Sequence, residues 1–326
     1  MPVFQLPTIG DIFRARRVLD GQLPPTPLWS YPALDSTVGV HALIKHENAQ
    51  PTGAFKVRGG LNLLATMAPA ERERGIVAYS TGNHAQSLAY AAAQTGASCV
   101  IVMPENPNAA KAAAVRARGA ELIESGETLD EARELAEKIA AERGARMVSA
   151  GNEPALIAGV ATAYVELFEQ EPDVDVVLVP VGGGSGAAGA CLVASALAPA
   201  CEVVAVQSSA SPAAHDSWEA REMMRRPNRS KAEGLATGCG FELTQSVMQE
   251  RLADFLLVDD ATILEAQWVM LRDAHTLAEG AGAAALAALL AYPGRFAGER
   301  VAVMCTGANA SEPELRRITQ PAHLPA

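Results

Sequence analysis

The sequence predicts an α/β protein of two open, twisted α/β units, the first inserted within the second. Three observations carry this. From about residue 76, short apolar runs alternate with helical patterns at the spacing of parallel βαβ units. A second run of the same kind begins with the helical pattern 155–168. Gly75, Gly96, Gly119 and Gly144 each stand near a helix end, where a left-handed cap is needed. Such alternation implies parallel sheets covered on both faces. The segment around Lys56 precedes the first run, so that run is the inserted one.

In chain order, residues 8–20 read as a helix with Arg14, Arg16 and Arg17 on its polar side. Pro24, Pro25 and Pro27 make an extended lead-in. Ala42–Ile44 reads as a short buried strand, Pro51-Thr52-Gly53 as a turn, and Phe55–Leu64 as a helix. The inserted unit follows, with strands at 76–79, 99–103, 121–123 and 147–149 separated by helices at 83–94, 109–118 and 129–142. The second run predicts strands at 174–179, 202–206, 255–258 and 300–304, with helices at 155–168, 184–197, 261–274 and 283–292. The polar stretch 207–240 has little periodicity and is expected to wrap the site. No internal repeat or low-complexity linker interrupts the chain.

The 326 residues are 49% hydrophobic and 19% charged, enough for one large or two modest domains with an ample core. A net charge of −11 argues against a nucleic-acid partner. Five scattered cysteines, an odd number without metal-ligand spacing, fit a reducing compartment. Met1–Gly10 lacks the build of a signal peptide, and the apolar run 281–292 is too short to cross a bilayer. The expectation is a cytoplasmic protein with no membrane partner.

Five stretches can carry chemistry. Lys56 falls in the first turn of its helix, where the positive helix end disfavours an ammonium. A neutral amine or an imine is favoured there, as a nucleophile or carbonyl trap; the plain alternative is a solvated lysine near a turn. Val181-Gly182-Gly183-Gly184-Ser185-Gly186-Ala187 follows a buried strand and opens a helix, which suits a phosphate. The same letters satisfy a dinucleotide fingerprint, but Gln207 stands where that reading wants an acid. Ser80-Thr81-Gly82-Asn83-His84 is a second strand-to-helix loop suited to a carboxylate, with Ser80 or Thr81 available as a cap. His84 invites a general-base reading, although a histidine packed in the first helical turn is the plainer one. Thr306–Asn309 ends a strand, where ligands of α/β sheets bind, and Glu279 opens the alanine-rich helix.

Together these stretches resemble the threonine dehydratase and serine racemase family of fold-type II, tryptophan-synthase-β-like pyridoxal phosphate enzymes. Residues 50–59 resemble its lysine motif, 80–86 its substrate-carboxylate loop, 180–189 its phosphate loop and 306–309 its pyridine-nitrogen segment, in matching order. The resemblance implies a large domain from 1–65 and 150–326, a small domain from 66–149, and pyridoxal 5'-phosphate in the cleft between. Lys56 is then the Schiff-base lysine and the α-proton base, with Phe55 packing near the ring. Gly182, Gly183, Gly184, Ser185 and Gly186 hold the phosphate, Asn83 the 3-hydroxyl oxygen, and Thr306 faces the pyridine nitrogen. Glu279 completes the cofactor set, and Ser80, Thr81, Gly82, Asn83 and His84 receive the amino acid substrate. The implied reaction removes water, then ammonia, from a threonine- or serine-like β-hydroxy amino acid to give a 2-oxo acid. A homodimer is the implied assembly.

Three departures from the family pattern matter. Thr81 stands where racemases carry a serine and many dehydratases an alanine, which leaves serine-type racemisation as the alternative activity. Residues 207–213 lack the acids of the racemase cation site, so no metal is expected there. The sequence ends soon after Asn309, and with no regulatory domain in view, isoleucine feedback is not expected. Segments 182–188, 206–214 and 234–245 resemble the hydroxyectoine-utilisation dehydratase branch more than threonine enzymes proper, which implies a β-hydroxy amino acid other than threonine, or a related compound, as substrate. Outside the family, the competitors are a nicotinamide-dependent oxidoreductase using the Gly182 loop and a catalytically silent binding protein.

Overall fold

A computed structural model describes residues 5–319. The first four residues of the stretch read against a signal peptide therefore lie outside the described residues. Among the described residues ten strands form two sheets. The larger has the order β1 (Leu28–Ser30), β2 (His41–His46), β10 (Arg300–Cys305), β7 (Val176–Pro180), β8 (Glu202–Ser208), β9 (Asp254–Val258). All its pairings are parallel except that of the edge strand β1 with β2. The smaller sheet is all parallel, in the order β5 (Glu121–Glu124), β4 (Cys99–Met103), β3 (Ile76–Tyr79), β6 (Arg146–Met147). The chain thus leaves the larger sheet after β2, builds the smaller one, and returns at β7, as the order of motifs predicts.

Both faces of the larger sheet are buried, which is why its strands read as unbroken apolar runs. Successive residues point to opposite faces. Val177 and Val179 join one core with Tyr164 and Leu167, while Val176 and Leu178 join another with Leu286 and Leu289 of the helix Gly280–Ala291. The smaller sheet divides likewise: Ala78 and Ile101 lie in one cluster, Val77 and Val100 in another.

Several elements differ from expectation. The strand expected at 147–149 is only Arg146–Met147, although Val148 N–H still donates to the Val77 carbonyl (2.9 Å). The stretch 207–240 contains a helix, Ala213–Ala220, and a single 3-10 turn, Glu233–Leu235. That helix is held at its start by Gln207, whose Oε1 accepts the His215 N–H (3.0 Å). Periodicity over eight residues was too short to reveal it. β1 and the helices Pro32–Val38, Pro69–Arg74, Glu242–Arg251 and Glu312–Ile318 are additional; most are one or two turns long, below the window in which a moment is legible.

Candidate active site

The segments that follow β2, β3, β7 and β10 line one cavity of about 170 Å³. Every residue that the resemblance assigns to cofactor or substrate lies on its wall: Phe55, Lys56, Ser80 to His84, Gly182 to Gly186, Glu279 and Thr306. The arrangement follows the rule that ligands sit beyond the carboxyl ends of parallel strands.

Lys56 is the first residue of the helix Lys56–Thr66. The loop before it is stitched to the end of β10: Phe55 N–H donates to the Thr306 carbonyl (3.0 Å), and Ala308 N–H to that of Gly53 (2.9 Å). Gly53 sits at φ +69°, and a Cβ there would come within 2.7 Å of Asn309 Oδ1, so only glycine makes this turn. Lys56 Nζ donates to Ser185 Oγ (2.6 Å). Burial of the amine depresses its pKa to about 8.

Two residues on, Arg58 is fully buried and anchors this helix. Its guanidinium donates to both oxygens of Glu47 (2.7 and 2.8 Å) and both of Glu166 (2.6 and 2.8 Å), and Lys45 Nζ adds a bond to Glu166 (3.2 Å). Such fork geometry suits arginine and no other cation. The sequence reading missed this network. Arg58 lies inside the lysine motif and Glu47 just before it, but Glu166 comes from a helix more than a hundred residues away, and no local pattern announces it.

The glycine loop places the helix Ser185–Leu197 with its first turn at the cavity. Gly184, at φ +84°, is its N-cap, and no side chain caps it. The orphan N–H groups of that turn are available to an anion. Thr244 Oγ1 donates to the Gly183 carbonyl (2.8 Å) and fixes the loop from behind.

The helix Asn83–Thr95 also starts uncapped, with Gly82 at its N-cap. The expectation that Ser80 or Thr81 caps it is not met. Ser80 Oγ instead accepts the N–H of Gly82 within the loop (3.2 Å), because the open glycine turn swings that hydroxyl away from the helix. A second uncapped N-terminus is left facing the cavity. The Asn83 amide is held at both ends: its Nδ2 donates to Glu279 Oε1, and its Oδ1 accepts from Asn309 Nδ2 (2.8 Å). His84 is buried inside the first turn, and burial, then the charge of Lys56, push its pKa down to about 3. It is a neutral ring near pH 7, not a base poised to titrate.

Glu279 caps its helix through backbone alone and is buried; burial raises its pKa to about 7. Thr306, buried at the end of β10, donates through Oγ1 to the Ala281 carbonyl (3.3 Å). Gln207, where a dinucleotide site would want an acid, is buried and turned to His215.

A desolvated amine, an uncapped glycine-loop helix and a neutral hydroxyl around one cavity define an enzyme site for a phosphate-bearing aldehyde. The amine can take the aldehyde, the orphan N–H groups the phosphate, and the hydroxyl a ring nitrogen. The chain belongs to the pyridoxal-phosphate-dependent enzyme family, whose model matches residues 19–307, and its cofactor is pyridoxal 5'-phosphate. It is 35% identical to an L-threonine ammonia-lyase of Thermotoga maritima over 95% of this chain and 78% of that protein. It is 33% identical to a beta-hydroxyaspartate dehydratase of Paracoccus denitrificans, over 93% and 96%. Its fold is similar to maize serine racemase, with a TM-score of 0.91 and 28% identity over 96% of this chain and 97% of that one. Family membership overturns the nicotinamide reading of the Gly182 loop.

Proposed function

We propose that the chain is a dehydratase that converts a β-hydroxy amino acid to the corresponding 2-oxo acid and ammonia. The reaction loses water across the α and β carbons; the released enamine gains water on hydrolysis and loses ammonia, so the atoms balance. One observation carries the reading: the partly desolvated Lys56 amine, depressed to about 8, set against the uncapped glycine-loop helix. Its relatives named as ammonia-lyase and dehydratase support it.

Bound pyridoxal phosphate supplies an electron sink for the charge left at the substrate α-carbon. Lys56 would hold the cofactor, and its neutral amine would take the α-proton. Gly182 to Gly186 and Ser185 bind the phosphate through the N–H groups of the helix start. Phe55 would flank the cofactor ring, Asn83, held by Glu279, would bond the ring oxygen, and Thr306 would meet the ring nitrogen. Thr306 carries no charge to offer a ring proton, which favours prompt departure of the β-hydroxyl over long storage of charge. Ser80, Thr81, Gly82, Asn83 and His84 receive the α-carboxylate on the second uncapped helix start. The units 66–149 and 1–65 with 150–326 serve as the two walls of the cleft. All five cysteines are free, which supports a reducing compartment such as the cytoplasm; among the described residues no helix is long and apolar enough to cross a membrane. A homodimer completes the proposal, and light scattering tests it.

The likeness to a serine racemase, with Thr81 on the cavity wall, favours racemisation as a second reading. The test is 2-oxo acid and D-amino acid release by the purified holoenzyme across L-threonine, D-threonine, L-serine and 3-hydroxyaspartate. Oxo acid in excess supports the dehydratase; D-amino acid in excess replaces it with the racemase.

A further inference from the structure

One ion pair on the cavity wall joins the two α/β units. Lys111 sits in the helix Ala109–Arg116, whose N-cap Asn108 accepts from the N–H groups of Ala110 (3.1 Å) and Lys111 (3.2 Å). Its ammonium donates to Glu233 Oε2, 122 residues away on the turn Glu233–Leu235. The lysine side chain is 8% exposed, the glutamate 45%. The turn that carries Glu233 is pressed onto the glycine loop: a Cβ on Gly182 would lie 2.2 Å from the Gly234 carbonyl oxygen. The backbone at Glu233 is therefore a fixed part of the wall, and its half-exposed side chain is held there by Lys111. Both charges also reach Glu279, whose pKa is raised first by burial; Lys111 pulls it down and Glu233 pushes it up.

Among the described residues, Lys56 and Lys111 are the only lysines or arginines lining this cavity. Under the dehydratase reading, on which this inference rests, Lys56 serves the cofactor and the uncapped Asn83 helix serves the α-carboxylate. A second carboxylate on the substrate would have Lys111 as the one cation left to meet it. Lys111 is already neutralised, and the nearby wall adds the apolar Leu129 and the acids Glu233 and Glu279. An acidic side chain would have to displace Glu233 and be desolvated beside it.

We propose that Glu233, by holding Lys111, sets the substrate class: the site takes β-hydroxy amino acids with a small uncharged side chain, of the threonine or serine kind, and rejects those with a second carboxylate. Glu233 acts as a specificity-determining residue through the charge it cancels, not through the reacting atoms. Discrimination of this sort is built from an unfavourable charge placed against the wrong substrate.

The test compares wild type, Glu233→Gln, and Glu233→Gln combined with Lys111→Met. Two readouts are taken: kcat/KM for L-threonine against L-threo-3-hydroxyaspartate, and calorimetric binding of the amine-free analogues 3-hydroxybutyrate and malate, which cannot react. Wild type is expected to favour threonine and to bind malate no more tightly than 3-hydroxybutyrate. Glu233→Gln is expected to shift both ratios towards the dicarboxylate by about tenfold or more, the size of one gained charge-assisted hydrogen bond. Lys111→Met is expected to reverse that gain. A wild type that prefers hydroxyaspartate, or ratios unmoved by Glu233→Gln while amino acids still turn over, overturns this inference and leaves the dehydratase standing. No turnover of either amino acid, with malate still tightened by Glu233→Gln, supports the charge gate and overturns the dehydratase.

Discussion

Lys56 Nζ lies 2.6 Å from Ser185 Oγ, so the one amine of the lysine motif rests on the head of the glycine-loop helix. Two stretches 129 residues apart in sequence meet at that bond. The amine there is desolvated, and its pKa is depressed to about 8. Only the neutral amine is a nucleophile, so its reactivity should rise as pH passes through about 8, where solvated lysines are still ammonium. The pH dependence of cofactor capture by cofactor-free protein, followed by the visible absorbance of the lysine-bound cofactor, checks this. A midpoint near the ordinary lysine value of about 10.4 would show that Lys56 is solvated.

Glu279 gives a pH dependence of opposite sign. Burial raises its carboxyl to about 7 in the folded chain, above its unfolded value of 4.5. The folded state therefore binds the extra proton between these values, and stability from this group falls as pH rises through that window. It is fully present below the unfolded pKa and lost above the folded one. Asn83 Nδ2 and the charges of Lys111, Glu314 and Glu233 are the groups that modulate it. Glu279→Gln removes the titration, so wild type should lose ground against this variant between pH 5 and pH 8, by on the order of 3 kcal/mol at most. Urea melts of both proteins at several pH values measure it; parallel curves would refute it.

Arg58 should be a stability residue before it is anything else. Arg58→Met leaves Glu47 and Glu166 buried with Lys45 as the one remaining cation and, among the described residues, only Thr26 donating to each. Removing one partner of a buried ion network costs about 3–5 kcal/mol. Denaturant unfolding of the variant should show that loss. A loss under about 1 kcal/mol would mean that water or a relaxed Lys45 satisfies the acids.

Gly184→Ala tests the glycine loop. The residue sits at φ +84°, and a new Cβ would lie 2.9 Å from Thr244 Oγ1. Strain of about 1–3 kcal/mol is expected where a non-glycine residue is held in such a conformation. The loop must shift to relieve it, which misaims the orphan N–H groups, so cofactor affinity should fall at least tenfold by fluorescence titration, roughly the loss of one such bond. Unchanged affinity would place the phosphate elsewhere.

Much of what builds the two sheets was legible because the central strands are apolar runs and several helices end at a glycine. Gly96 and Gly144, for example, take the left-handed cap their position predicts. The site was legible because its loops lie at strand ends in chain order. What the sequence hid was contact at a distance. Arg58 with Glu166, Asn83 with Glu279, and Lys111 with Glu233 each join residues over a hundred positions apart. Ser80 was read as a cap because its letter suits one, yet the local loop took its hydroxyl first. The helix 213–220 was missed because a tertiary bond from Gln207, rather than a strong pattern, secures its start.

The central claim is that Lys56 both carries the cofactor and moves the α-proton. The measurement that tests it most directly is 2-oxo acid release from L-threonine and L-serine by wild type and Lys56→Ala, each saturated with pyridoxal phosphate. The account predicts release by wild type and a fall of at least about a thousandfold in the variant, the scale of a lost general base with its positioning. Turnover by Lys56→Ala at the wild-type rate would contradict it.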